Sequence, residues 1–197
     1  MSHPSDVEIQ RLKAVAREMI ESGDESGYLV GVAAAQHSSF GNTRRPSSAM
    51  ERELFLDAAR QAASREGLGI EEPCGGVDLI GVGGNYIRRY RIKRGARTSA
   101  GDFKFVCGLG SSLLTTEPDT LYIEERWILG YLSSNDHTVE EVIAAQVIGH
   151  KGDGPVELVL GPIIPLSDGP LPDGFTSTDE GLDGFDDADE AGDEGAA

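Results

Sequence analysis

Cysteine, tryptophan and long apolar runs are all scarce in this chain of 197 residues, which has two cysteines and one tryptophan. Cys74 and Cys107 lie far apart and neither is part of a Cys-x-x-Cys pair, which excludes a disulfide framework and a zinc knuckle. Both are therefore expected to be small, buried side chains in a reducing compartment.

The sequence contains no stretch of the roughly 18 to 20 uncharged apolar residues that cross a bilayer. It begins without the basic and apolar regions of a secretory signal. We therefore expect a cytoplasmic protein. The four histidines are scattered, and the chain has no Walker loop, Gly-x-Ser-x-Gly elbow or His-Glu-x-x-His motif. No cofactor and no metal site are predicted.

Basic residues are in deficit, since the formal net charge is −17, but the deficit is uneven. Residues 167–197 hold eleven of the 34 acidic residues and no lysine or arginine. Residues 1–166 contain the remaining 23 acidic residues and all 17 basic residues. Their net charge of −6 is ordinary for a protein surface. The last segment has too little apolar surface to fold and is predicted to be a disordered acidic tail.

Two amphipathic helices are predicted in the first third of the chain. Ser5-x-x-Glu8 is typical of a capping box, and the apolar residues after it recur at helical spacing until Gly23, which we expect to end the helix. Ser48-x-x-Glu51 indicates a second start, with Gly67 as its end. Between the helices, residues 28–34 form a short apolar run typical of a buried strand, and residues 36–48 are expected to be an exposed loop.

From residue 77 onward, apolar residues alternate with polar ones, which predicts successive strands joined by turns. The predicted strands are residues 77–82, 86–96, 102–109, 121–132 and 156–160. Residues 138–149 are ambiguous. Thr138 and Glu141 favour a capped helix that ends at Gly149, whereas the alternative is a strand in a hairpin with its neighbours.

These elements predict an α+β fold in residues 1–166, followed by the acidic tail in residues 167–197. In this fold, an antiparallel or mixed sheet of five or six strands packs on two amphipathic helices.

A basic strand is the strongest anomaly of the sequence. Six of the 17 basic residues fall between Arg88 and Arg97. Strand alternation places Arg89, Arg91 and Lys93 on one face, about 6.5 to 7 Å apart, which is the scale of successive phosphates. Lys104 on the next strand is expected to extend this anion-binding patch.

Two other interpretations of the basic strand stay open. It can be a solvated strand face, or an edge whose charges prevent aggregation. The acidic tail can also fold back onto it and compete with an external anion, because about thirty flexible residues span a domain of this size.

The order of elements from Glu51 to Leu160 resembles that of the PD-(D/E)xK nuclease core, in element order only. That resemblance implies Asp78, Asp102 and Lys104 as a metal-dependent catalytic set. However, the strand after Asp78 offers Arg91-Ile92-Lys93 where the family needs an acid, and Asp102-Phe103-Lys104 comes one strand later.

The function predicted from the sequence is that of a non-enzymatic regulatory or adaptor protein. It is expected to contact an anionic macromolecule, nucleic acid or acidic protein, through Arg89, Arg91, Lys93 and Lys104, and no membrane. The alternatives are the metal-dependent nuclease and a structural subunit of a larger assembly. Glu125 lies on an otherwise apolar strand face beside Trp127, and we expect it to pair with a base such as Arg88 or to turn outward at a bulge.

Overall fold

A computed structural model describes residues 3–36, 45–73, 76–108, 111–114, 122–134, 138–152 and 155–167. The described residues form two helices, α1 (Asp6–Gln36) and α2 (Arg45–Arg65), and nine strands. The strands are β1 (Gly69–Glu71), β2 (Asp78–Gly83), β3 (Tyr86–Arg94), β4 (Ala96–Arg97), β5 (Phe103–Lys104), β6 (Val106–Cys107), β7 (Ile123–Ser133), β8 (Val139–Lys151) and β9 (Val156–Pro165). Among these residues, neither helix has the length and apolar composition needed to cross a membrane.

Seven of the strands form one mixed sheet in the order β1-β2-β3-β7-β8-β9-β6, and β4 and β5 pair separately. Neighbouring strands are antiparallel except β3 and β7, which are parallel. The predicted α+β class is therefore confirmed, with seven strands in the sheet instead of five or six. The predicted disordered tail falls on residues 168–197, which lie outside the described residues.

One apolar core lies between the helices and the sheet. Leu12 and Met19 of α1 and Phe55 of α2 are fully buried there against Tyr90 and Leu129 of the sheet. A second core covers the opposite face of the sheet, where Phe105 packs with Ile128 and Ile143. A Cβ atom at Gly95 or Gly130 would overlap the Phe105 ring, so these glycines let the segment around β5 and β6 lie directly on the sheet.

The first helix corrects two predictions, because it runs through Gly23 and through the predicted strand at residues 28–34. Gly23 is not a stop but a point of close approach, since a Cβ there would lie 3.0 Å from the backbone nitrogen of Val139 on β8. Val30 is 1% exposed, whereas Tyr28, Leu29 and Val32 are 36% to 72% exposed, so this part of the helix is buried on one side only. The local β propensity of the run therefore does not decide its structure.

The second helix begins at Arg45, three residues before the predicted capping serine, so Ser48 is not its N-cap. The rest of the predicted exposed loop, residues 37–44, lies outside the described residues.

The ambiguous segment is a strand, β8, and the favoured helix prediction is wrong. Val142 and Ala144 are buried in the first core, whereas Ile143 and Ala145 are buried in the second. A central strand buried on both faces is a continuous apolar run, which periodicity alone does not distinguish from a helix.

The predicted strand at 102–109 is divided between β5 in the two-stranded ribbon and β6 at the edge of the main sheet. Cys107 is buried and not in a disulfide, as expected, and Cys74 lies outside the described residues.

Candidate functional site

The cations of β3 project from both faces of the sheet. Arg88 and Arg94 point toward the helices, where they meet Glu8 of α1 and Glu51 of α2. Arg89, Arg91 and Lys93 occupy the alternate positions and point to the other face, as the alternation of a strand requires. The structure therefore brings the three predicted residues onto one face, and their surroundings decide how much of their charge is accessible.

On the helix side, Arg88 lies buried between two carboxylates. Its Nη1 donates to Glu8 Oε2 and its Nε donates to Glu125 Oε2, both at 2.8 Å. The side chain of Arg88 is only 4% exposed, and those of both glutamates are 8% exposed. The predicted pairing of Glu125 with Arg88 is thus confirmed, and this arginine is held by the body of the protein.

Glu8 serves both the helix start and the buried network. Its backbone N–H donates to Ser5 Oγ at 3.2 Å, as expected of a capping serine. Its side chain, however, accepts from Arg88 and from the hydroxyl of Tyr90 at 2.9 Å. A Cβ at Gly81 would overlap the Glu8 carboxylate, so the glycine leaves the space that Glu8 occupies.

Tyr90 is fully buried beneath this network. Burial, and then the negative charge of Glu8, raises the pKa of the Tyr90 phenol well above its ordinary value. The hydroxyl therefore keeps its proton and remains a donor to Glu8.

On the opposite face, Arg91 and Lys93 are also buried, at 6% and 7% exposure. The guanidinium of Arg91 donates to Asp78 on the neighbouring strand β2 and to Ser112 Oγ, the latter at 2.6 Å. Both side chains are therefore largely withdrawn from the surface on which the sequence predicted them.

Arg89 is the more accessible member of the row, with 23% of its side chain exposed. It pairs with Glu71 on the edge strand β1 and with Glu124 on β7. The Glu71 side chain is 53% exposed, whereas that of Glu124 is 11% exposed. Burial alone would lower the pKa of Arg89, but its hydrogen bond to Glu71 and the charges of Glu124 and Glu71 raise it.

Glu124 is shared, because Arg126 Nη1 also lies 2.7 Å from its carboxylate. The guanidinium groups of Arg89 and Arg126 thus both contact the nearly buried carboxylate of Glu124. The exposed carboxylate of Glu71 supplies the second negative charge. Lys104, the fourth predicted residue, is partly buried and pairs through its backbone with Ala96 in the separate ribbon. It is therefore not part of the strand ladder that carries Arg89.

The residues of the predicted nuclease set have different environments. Asp78 is buried and forms an ion pair with Arg91, whereas Asp102 is exposed at the turn before β5. Across the described residues there is no group of three His, Cys, Asp or Glu side chains that could hold a metal ion together.

A cleft separates the ends of β7 and β8. It holds a cavity of about 260 Å³ with Leu113 and Leu114 on one side and residues 124–126 and 146–150 along the two strands. Sequence reasoning missed this cleft and also missed Glu8, Glu71 and Glu124 as partners of β3. The parallel pairing of β3 with β7, which aligns Ile87 with Glu124 and Arg88 with Glu125, would have revealed Glu124. Glu8 and Glu71 come from α1 and β1.

Comparison of the chain with protein-family models, with curated proteins and with solved structures finds no match in any of the three. The site is therefore interpreted from its own geometry.

Proposed function

We propose that this chain is a non-enzymatic regulatory or adaptor protein and that it contacts an anionic partner, nucleic acid or acidic protein, through Arg89 of β3. The observation that supports this proposal is the pairing of a partly exposed guanidinium with the exposed carboxylate of Glu71 on a three-residue edge strand. A pair of this kind can exchange its carboxylate for that of a partner.

The physical reason is the small stability of an exposed ion pair. Such pairs contribute about 0.2 to 1 kcal/mol, since water screens them and two long side chains lose freedom. A phosphate or carboxylate of a partner can replace Glu71 at little cost. Arg91 and Lys93 are less suited to this role, because exposing them would disrupt buried contacts.

This proposal predicts opposite effects of two substitutions on the binding of an anionic polymer. Glu71→Gln removes the exposed one of the two carboxylates that pair with Arg89 and should strengthen binding of poly-glutamate or duplex DNA, by up to about fivefold. Arg89→Gln should weaken it. Fluorescence anisotropy with labelled polymers at low salt measures both effects.

Glu72→Gln is the matched control, since it removes the same charge one residue away. Glu72 pairs with Arg60 of α2 at 2.7 Å, not with Arg89. Equal gains in Glu71→Gln and Glu72→Gln would reflect net charge alone and would contradict the proposal. A comparison of duplex DNA with poly-glutamate separates the two partner classes.

The metal-dependent nuclease and the structural subunit stay predictions from the sequence, as does contact of the acidic tail with the basic strand.

A further inference from the structure

The last part of α1 continues beyond the point where the helix meets β8. A Cβ at Gly23 would lie 3.0 Å from the backbone nitrogen of Val139, and the helix runs on from there for thirteen residues, 24 to 36, or about 20 Å. Residues 26–36 include no charged residue, although the chain has a net charge of −17.

Three large apolar side chains are exposed on this part of the helix. Tyr28, Leu29 and Val32 are 72%, 38% and 36% exposed, whereas Val30 is buried. Positions 28, 29 and 32 lie within about 100° around a helix axis, so the three side chains form one apolar stripe.

The size of the apolar stripe indicates what kind of segment can cover it. Three side chains expose on the order of 300 Å², whereas two independent proteins in a stable complex bury roughly 1,200 Å² or more. Such a surface is too small to hold a second copy or another folded protein. A segment tethered to the same molecule needs far less affinity, because its effective concentration is in the millimolar range.

The chain after β9 leaves the sheet close to this helix. Leu166 is buried in the core between the sheet and the helices, and its N–H donates to the carbonyl of Val142 on β8. The Oγ of Ser167 accepts from the N–H of Val142 at 3.4 Å. Because β9 is antiparallel to β8, the chain here runs toward Val139, which is the residue that Gly23 approaches.

Residues 168–197 are long enough to reach the apolar stripe. Val142 and Val139 are three residues apart on a strand, or about 10 Å, and Tyr28 lies roughly 8 Å along the helix from Gly23. Phe175 is eight residues after Ser167, and a flexible segment of that length has a root-mean-square span of about 16 Å.

The tail also carries apolar side chains at a regular spacing. Its large apolar residues are Leu171, Phe175, Leu182 and Phe185, at intervals of four, seven and three. These intervals place side chains on one face of a helix, with most of the acidic residues on the other side. The glycines between them oppose such a helix in the free segment, so we expect it to form only against an apolar surface.

We propose that residues 171–185 of the tail dock on the apolar stripe of α1 in the same molecule, with their phenylalanine rings against Tyr28 and Val32. Charge does not drive this contact, since Glu25, exposed one turn before Tyr28, is acidic like the tail. The contact does not depend on the proposed role of Arg89.

The docked and free forms of the tail should be close to balance. A contact of two or three apolar side chains has a Kd of roughly 1 mM, which is similar to the effective concentration of the tail. A partner that binds the tail would therefore expose the apolar stripe, and a partner that binds the stripe would release the tail.

NMR spectroscopy of the isotope-labelled full chain tests the contact. We expect nuclear Overhauser effects between the ring protons of Phe175 or Phe185 and the methyl groups of Leu29 and Val32. They should persist in roughly 1 M NaCl, where the Debye length is about 3 Å, because the contact is apolar.

Substitutions on both sides of the contact should release the tail. Phe175→Ser combined with Phe185→Ser should lower the docking equilibrium constant at least about tenfold, as read from the amide shifts of residues 26–36. Val32→Ser should lower it about fivefold. Val7→Ser is the matched control, since Val7 is 63% exposed in the first turn of the same helix, and it should leave docking unchanged.

Four results would overturn the inference. The unsubstituted chain could show no effects between the tail and α1, or effects on the apolar stripe from Phe40, which precedes α2, instead of from the tail. The tail substitutions could shift amides around Arg89 only at low salt, which would place the tail on the basic strand. Shifts of residues 26–36 that depend on protein concentration and not on the tail would identify a second copy as the occupant.

Discussion

At the scale of single residues, burial decides what each ion pair contributes. Arg88 and Glu8 lie 2.8 Å apart with side chains 4% and 8% exposed, whereas Arg60 and Glu72 lie 2.7 Å apart with side chains 29% and 58% exposed. Almost equal distances thus occur in very different surroundings. Water screens the charges of the Arg60–Glu72 pair. If one partner of the Arg88–Glu8 pair is removed, however, water does not solvate the charge that is left buried.

Arg88→Met should therefore destabilise the protein by about 3 to 5 kcal/mol, because it leaves the buried carboxylates of Glu8 and Glu125 without the positive charge of Arg88. Urea unfolding followed by circular dichroism measures the change.

Arg60→Met is the matched control and should change the free energy of unfolding by less than about 1 kcal/mol. Similar losses in the two variants would show that the Arg88 network is solvated and would contradict its burial.

At the scale of elements, the crossing of α1 over β8 depends on one small residue. The helix spans 31 residues, about 46 Å, and a Cβ added at Gly23 would lie 3.0 Å from the backbone nitrogen of Val139 on the strand. Gly31, two turns later, is exposed, and a Cβ there would meet nothing within 4 Å. The two glycines of one helix should therefore respond to alanine in opposite ways.

Gly31→Ala should raise the thermal midpoint, since alanine favours the helix by up to about 1 kcal/mol. Gly23→Ala should lower it, because the new methyl group presses on the backbone of Val139. Differential scanning fluorimetry compares the two. A rise in both midpoints would mean that the helix does not pack on β8 at Gly23.

The elements also show what the sequence could predict. Strands β2, β3, β7 and β9 were found because half-buried strands alternate. The helical end of α1 and the strand β8 were not, since each is decided by a partner distant in sequence. Glycine is typical of a helix end, but Gly23 lies inside α1 where the helix passes close to Val139 of β8. The sequence does not show this contact, because β8 is distant along the chain.

The same limit applies to the candidate site. Alternation correctly put Arg89, Arg91 and Lys93 on one face. The cost of a buried, unpaired carboxylate indicated a base such as Arg88 for Glu125, and of the two alternatives this pairing is the one found. Alternation did not reveal that Asp78 on β2, Glu71 on β1 and Glu124 on β7 are the partners of Arg91 and Arg89. For Glu124 the reason is that the parallel β3–β7 pairing joins segments more than thirty residues apart. The exposure of each cation depends on those neighbours.

At the scale of the whole molecule, the charge distribution explains the site. Residues 1–166 carry −6 of the total −17, and their strongest local excess of positive charge lies in β3. The fold takes up most of that excess internally, through carboxylates on α1, β1, β2 and β7. Within the predicted row of Arg89, Arg91 and Lys93, Arg89 keeps the largest exposed fraction. Most arginines of the basic strand are therefore engaged in ion pairs within the fold.

Arginine modification by phenylglyoxal in the native chain, read by mass spectrometry, tests this account most directly. Arg89 and Arg94, with side chains 23% and 36% exposed, should react, whereas Arg88 and Arg91, at 4% and 8%, should be protected until the protein unfolds. Modification of Arg88 or Arg91 as fast as Arg89 would contradict the account.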